Sequence, residues 1–535
     1  MEKRAFLAVA LSLLVLVLYQ EWLTRQYGTA PPPVPKHEEV KSPSAAPPSP
    51  PLSTSKPETP SVESPLSQEA REVRVETDEY VALWTSRGGR LKSLVLKDHR
   101  TSGAENSPPY EMVRQAPGVP LPLGLQWNEA ALVNDANVVY SIEGSDLQLS
   151  GAATGTLTFT GRSPGGAVLT KKLTFTGARY PIELEVAARR ADGTPFVPAV
   201  MLTTPKDQVQ PDAHFEGLVA LVDNKIKRVP LDDLAKGVEF AGDIGWAGFG
   251  QTYFLMALVS DNGAGHRLTA QPLGQAIAMS IAEQPQRPPT GRYTLFAGPK
   301  QIDVLQSLGK GLERSIDFGY FAFIAIPFIY VLHFSHQFTG SYGIDIIILT
   351  VLIKLVLAPL THKSMVSMKQ MQKLQPQMER LKEKYKNDRE KLNKEIMEMY
   401  RRHGVNPLGG CLPMLLQFPV FIGLYNALST PIELRHASFL WIKDLSRPDW
   451  ESLPFTIGSW HFGVPVLTIL MGASMFIQQW MTPTAGDPNQ RKMMLMMPLV
   501  FTVMFVTFPA GLTIYWLVNN ILSIAQQYWI NRSDA

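Results

Sequence analysis

The sequence predicts a polytopic α-helical membrane protein with six transmembrane helices and a large antiparallel β-sandwich inserted between the first span and the second. Three observations predict it. Long apolar runs are confined to residues 5–23 and to the part of the chain after residue 318. Residues from about 70 to 300 instead alternate apolar and polar at period two, between Gly, Pro and Asp turns. A loop between Thr361 and Gly404 carries twelve Lys/Arg against six Asp/Glu, and such basic loops stay in the cytoplasm. The 45 % hydrophobic content of the 535 residues and the net charge of +3 therefore average two unlike halves. The single cysteine, Cys411, excludes an intrachain disulfide and a Cys-rich metal site.

In chain order, Met1-Glu-Lys3-Arg4 precedes an uncharged run from Ala5 to Tyr19, the pattern of a signal peptide or a membrane anchor. The small-residue cleavage candidate Gly28-Thr-Ala30 runs directly into Pro31-Pro-Pro33, so residues 1–28 are expected to be an uncleaved anchor with its N-terminus in the cytoplasm. Residues 29–69 are rich in Pro and Ser, with little to bury, and read as a disordered tether. The strands of the sandwich, residues 70–300, are announced by Glu72–Glu76, Thr156–Thr160, Leu173–Thr176, Ile182–Val186 and Arg292–Phe296. Its histidines (His99, His214, His266) are scattered and no paired carboxylates are evident, so neither an enzyme activity nor a cofactor is expected.

Residues 301–340 join an amphipathic stretch to the apolar run 318–338, which contains Pro327, His333 and His336. A crossing there would carry the basic loop outside, so this segment is expected to lie along the outer membrane interface. The remaining spans are expected at 341–361, 408–429, 463–481, 493–508 and 511–530, with both termini cytoplasmic. Between residues 362 and 404, Met371, Leu374, Met378, Leu381 and Tyr385 step by three and four, as do Leu392, Ile396 and Met399. That is the seam of an antiparallel helical hairpin. Its charges Lys373, Arg380, Lys382 and Lys384, with Met365, Met368 and Met371 on one helix face, read either as an ordinary solvated face with core methionines or as a landing site for ribosome, signal-recognition machinery or nascent chain.

Lys354 is the one charge among the fifteen residues Ile346–Leu360. An ammonium at a helix centre costs roughly 2.5–3.5 kcal/mol on insertion scales and therefore usually meets a wet cavity, a partner or a substrate. Snorkelling is the plain alternative, because His362 and Lys363 mark the span's end roughly 12 Å further on. Thr350 extends the same face by one turn.

Asn406-Pro-Leu-Gly-Gly-Cys-Leu-Pro-Met-Leu-Leu-Gln417-Phe-Pro-Val-Phe-Ile-Gly-Leu-Tyr425-Asn-Ala-Leu closely resembles the corresponding span of the YidC/Oxa/Alb membrane-protein insertases. The resemblance continues in Ala358-Pro-Leu-Thr361, in Glu433–Leu445, in Phe508–Asn520 and, in the β-patterned part, in Gly245–Phe254. It implies a Gram-negative inner-membrane protein whose periplasmic domain is a β-supersandwich similar to sugar mutarotases, and five C-terminal spans around a hydrophilic groove open to the cytoplasm and to lipid. In that groove Lys354, Thr350, Gln417, Asn519 and Asn520 would meet the polar tail of a substrate, and Tyr515 and Trp516 would form a slide. The implied partners are nascent membrane proteins, the Sec translocon, ribosome or signal-recognition machinery and lipids, with no sequence-specific nucleic-acid binding. The family's groove cation is more commonly arginine, so lysine here keeps the charge and loses the bidentate fork. A transporter or channel for an anionic solute is the alternative from another class; it calls for repeated halves with broken helices, and no internal repeat is evident.

Overall fold

The computed structural model describes residues 70–104, 106–127, 133–206, 217–261, 266–282, 290–405, 412–457, 460–482 and 488–533. The expected anchor at 1–28, the tether at 29–69, His214 and Cys411 lie outside the described residues.

Each of the five alternating segments lies within a strand, because alternation places one set of side chains on one buried face. In Thr154–Arg162 the inward set includes Leu157 and Phe159, and in the paired strand Val168–Thr176 it is Leu169, Lys171, Leu173 and Phe175. Three sheets, of ten, six and five strands, share one continuous apolar core in which Trp84, Trp246 and Tyr293 are among the largest buried side chains. One pairing departs from the antiparallel expectation: Val75 and Glu76 pair in parallel with Leu147 and Gln148.

Lys171 occupies an inward position and is 1 % exposed. Its ammonium donates to the carbonyls of Gly88, Gly89 and Leu123 and meets Asp135 Oδ2 at 2.7 Å. Asp135 also accepts from Arg90 Nη2, the Leu125 N–H and the Tyr140 hydroxyl. With so many hydrogen bonds on both partners, a buried ion pair offsets its desolvation, and this one ties the strand Val168–Thr176 to the segments around residues 88, 123 and 135.

The segment 301–340 is not one helix. It comprises α1 (Ile302–Ser307), a 3-10 turn (Leu312–Ser315) and α2 (Ala322–Thr339), interrupted where Gly309 and Gly311 adopt φ of 67° and 73°, values an L side chain rarely takes. The C-terminal part holds α3 (Tyr342–Lys373), α4 (Gln375–Lys384), α5 (Arg389–Arg402), α6 (Leu412–Ser429), α7 (Val466–Met481), α8 (Pro488–Phe505) and α9 (Ala510–Ser533). Several boundaries differ from expectation, among them those of the span expected at 493–508, which runs as α8 from Pro488 to Phe505. The span expected to stop at residue 361 continues as α3 to Lys373, since nothing between Thr361 and Lys373 breaks a helix. The span expected from 463 begins at Val466, after Pro465, because Trp460–Gly463 pairs with Pro454–Ile457 as a small hairpin.

Where α2 meets α3, Asp345 is fully buried and accepts from the Thr339 hydroxyl at 2.6 Å while lying 2.8 Å from His336 Nδ1. Tyr342 stacks on the His336 ring at 3.8 Å. The connection is thereby pinned on both sides of Gly340, which takes the left-handed conformation at the end of α2.

Candidate functional site

The polar side chains of the helical part converge on α9. Tyr515, Asn519, Asn520, Ser523, Gln526 and Gln527 recur on it at spacings of one, three and four, so they form two adjacent stripes on a 3.6-residue helix. One stripe faces α3. Lys354 Nζ donates to Ser523 Oγ at 2.6 Å, and the Ser523 hydroxyl donates to the Asn519 carbonyl at 2.7 Å. Further along, Gln526 Nε2 donates to Thr361 Oγ1 at 3.2 Å, and near the end of α9 Lys369 reaches the Ile530 carbonyl. The other stripe faces α7, where Asn520 donates to Ser474 Oγ at 2.9 Å and Gln527 to the Met481 carbonyl at 2.6 Å. On the α6 side, Gln417 donates to the Tyr515 hydroxyl.

Trp516 belongs to an apolar wall. Its ring lies 5.3 Å from Phe421, 5.1 Å from Phe505 and 6.3 Å from Phe501, joining α6, α8 and α9 through edge, tilted and stacked contacts. On the far side of α3, Leu352, Leu355 and Val356 are exposed, as are Phe418 on α6 and Val503 on α8, which is the apolar perimeter lipid requires.

The residues expected at the site therefore separate. Lys354, Gln417, Tyr515, Asn519 and Trp516 meet α9 or lie on it within one continuous region. Thr350 is 1 % exposed and donates its hydroxyl to the Ile346 carbonyl of its own helix. Asn520, 3 % exposed, is spent on holding α7. Ser523, Gln526 and Ser474 were not anticipated. Reading α9 at the helical period would have found the first two, since they continue the spacing of Asn519 and Asn520.

The segment from the end of α3 through α5 separates similarly. Met365 and Met368 sit half-buried on the extension of α3, while Met371 packs against Leu374, Met378, Leu381, Ile396, Met399 and Tyr400, which form the seam between α4 and α5. Lys373, Arg380 and Lys384 are exposed and Lys382 is half-buried. Asp388 caps α5 by accepting from the Lys391 N–H at 3.0 Å.

Two cavities are distinct from this region. One of about 60 Å³ lies in the β-sandwich beside Tyr110, Gln251 and Phe254. One of about 250 Å³ lies between Asp303, His333, His336, Tyr342 and Glu433. Among the described residues no three His, Cys, Asp or Glu side chains are placed to hold a metal ion.

Two family models match the chain, one described as the YidC periplasmic domain over residues 72–331 and one as the 60Kd inner membrane protein over residues 334–535. Membrane protein insertase YidC of Syntrophus aciditrophicus (strain SB) is 40 % identical over 99 % of this chain and 100 % of its own length. Membrane protein insertase YidC of Geobacter sp. (strain M21) is 42 % identical over 87 % of this chain and 86 % of its own. A crystal structure described as an active YidC insertase with the first transmembrane domain resolved aligns with a TM-score of 0.39 at 18 % identity, covering 86 % of this chain and 93 % of that one.

Proposed function

The chain belongs to the YidC family of membrane protein insertases, and from that premise we propose that Lys354 is the charge with which it receives its substrates. It is a protein of the bacterial inner membrane with a periplasmic β domain, and it inserts nascent membrane proteins there. The observation that carries the reading is an ammonium inside an apolar helix whose hydrogen-bond partner is a neutral hydroxyl. Among the described residues no carboxylate pairs with it, so the charge is left for an incoming acidic segment.

The physical benefit lies in desolvation. Carrying a polar tail across the hydrocarbon core costs free energy for every unpaired group, and a positive, polar recess partway across shortens the dry distance. The substrate's own apolar span then leaves sideways, where burial against lipid drives release. Gln417 and Tyr515 supply a polar rung beside the route, and the Trp516 wall offers an apolar surface along which a helix slides.

The arrangement we propose has six crossings with both termini in the cytoplasm and α2 lying along the outer interface. Phe323, Phe334 and Phe338, all exposed, support that placement of α2 by presenting an apolar face. The exposed Lys373, Arg380 and Lys384 beside the α4–α5 hairpin support recruitment of ribosome or signal-recognition machinery there, with the Sec translocon as a further partner.

Insertion of a single-span protein with an acidic translocated tail into liposomes containing the purified chain tests this. Lys354→Arg is expected to retain insertion and Lys354→Ala to lose it. Equal insertion by wild type and Lys354→Ala would reduce Lys354 to a snorkelling residue.

A further inference from the structure

We propose that Ser523 is the positioning residue that keeps the Lys354 charge available, and so sets the preference of this insertase for acidic substrate tails. The inference rests on the reading of Lys354 given above. Its basis is the direction of two hydrogen bonds. A serine hydroxyl has one proton and two lone pairs. Here the proton goes to the Asn519 carbonyl one turn back on α9, at 2.7 Å, so only lone pairs remain to face α3. The Lys354 ammonium donates to them at 2.6 Å. Ser523 is thus fixed as an acceptor by its own helix before the lysine arrives.

That choice of partner has a consequence for charge. A carboxylate at the same place would hold the ammonium as an ion pair and cancel its field, and an apolar residue would leave it without an acceptor and free to snorkel. A pre-oriented hydroxyl does neither: it satisfies one of three N–H groups, holds the side chain against α9, and leaves the full positive charge with the remaining donors. The rest of the α3–α9 seam follows the same rule, since Thr361 and Gln526 meet through neutral groups. Lysine suits this arrangement better than arginine, because a compact ammonium anchors through a single acceptor, whereas a planar fork asks for two.

The experiment compares wild type with Ser523→Thr, Ser523→Ala, Ser523→Asp and Lys354→Ala, each as the full chain in liposomes. Two single-span substrates are used, identical except that the acidic residues of the translocated tail are amides in the second. The readout is the ratio of acidic-tail to neutral-tail insertion, which a general loss of folding does not move. Ser523→Thr, which keeps the acceptor, is expected to retain the wild-type ratio. Ser523→Asp is expected to lower it about tenfold, because the substrate must displace an internal ion pair. Ser523→Ala is expected to fall between them. A wild-type ratio in both Ser523→Asp and Ser523→Ala overturns the proposal, even if total insertion drops. If Lys354→Ala flattens the ratio while the Ser523 variants do not, this inference fails alone. If Lys354→Ala leaves the ratio unchanged, the role of the lysine fails and the role of Ser523 with it.

Discussion

Lys300 shows how far a single side chain can depart from what its sequence neighbourhood suggests. It follows the strand Thr290–Pro299, is 5 % exposed and donates to the Gln251 carbonyl. Burial, reinforced by the Arg228 guanidinium and opposed by Asp317, pushes its ammonium down to about 7. The unfolded chain therefore binds more protons than the folded one between about pH 7 and the ordinary lysine value near 10.5, and stability rises with pH across that window. The cost of the buried charge is fully present below about pH 7. Each pH unit inside the window is worth at most about 1.4 kcal/mol. Relative to Lys300→Met, the β domain of the wild type is expected to gain stability from pH 7 to pH 10 in parallel denaturation series; parallel pH profiles would refute the assignment. The same contrast governs legibility at this scale. Lys354 could be read from sequence because a charge inside an apolar run violates the pattern. Lys171 could not, because Thr170-Lys171-Lys172 looks like a solvated strand until the register shows which lysine points inward. Ser523 was legible only as a position on the polar face of α9, while its part in holding Lys354 was not, since a serine that bonds its own helix backbone is compatible with any surroundings.

Among the elements, periodicity revealed existence and type better than limits. The seam of α4 and α5 was visible because Leu374, Met378, Ile396 and Met399 repeat at helical spacing. The end of α3 was not, because the border of a membrane is set by polarity while the border of a helix is set by caps and breakers, and the two coincide only by chance. Close approach is also hidden from pattern. Gly472 lies where α7 crosses α8, and a Cβ there would meet Oγ1 and Cγ2 of Thr502. Two effects compete in Gly472→Ala: helix propensity favours alanine by about 1 kcal/mol, and overpacking costs about 1–3 kcal/mol. The clash involves a branched side chain whose hydroxyl is already committed to the Pro498 carbonyl, so it yields poorly. Gly472→Ala is accordingly expected to lower the melting temperature of the detergent-purified protein. In a Thr502→Ala background the same substitution should be neutral or stabilising, and a penalty that persists there would show that the contact is not the cause.

At the scale of the whole molecule, the decisive contact joins two segments that the sequence places far apart. The loop after α6 sends Arg435 into the β-sandwich, where its guanidinium donates to the Arg100 and Thr101 carbonyls at 2.9 and 3.0 Å and lies 5.5–5.7 Å from the ring centres of Tyr110, Tyr253 and Phe254. Tyr110 and Phe254 are themselves stacked at 4.0 Å, so the cage is rigid before the arginine enters. Gly245–Phe254 and Glu433–Leu445 were each recognisable as motifs, yet nothing in a single sequence says that they touch. Such a pairing is fixed by the folded backbone rather than by local pattern. Cation–π contacts contribute roughly 0.5–2 kcal/mol each, more when desolvated, and the two carbonyl bonds add direction that a lysine ammonium does not reproduce. The rivet is therefore expected to set the orientation of the β domain on the helical part. Spin labels at Glu183 and Lys443, both exposed, would report it. Arg435→Ala should broaden the distance distribution between them, Arg435→Lys should broaden it less, and the melting of the β domain itself should stay unchanged. A distribution as narrow in Arg435→Ala as in the wild type would mean that the apolar contacts of α1, α2 and α6 with the sandwich core hold the two parts without the arginine.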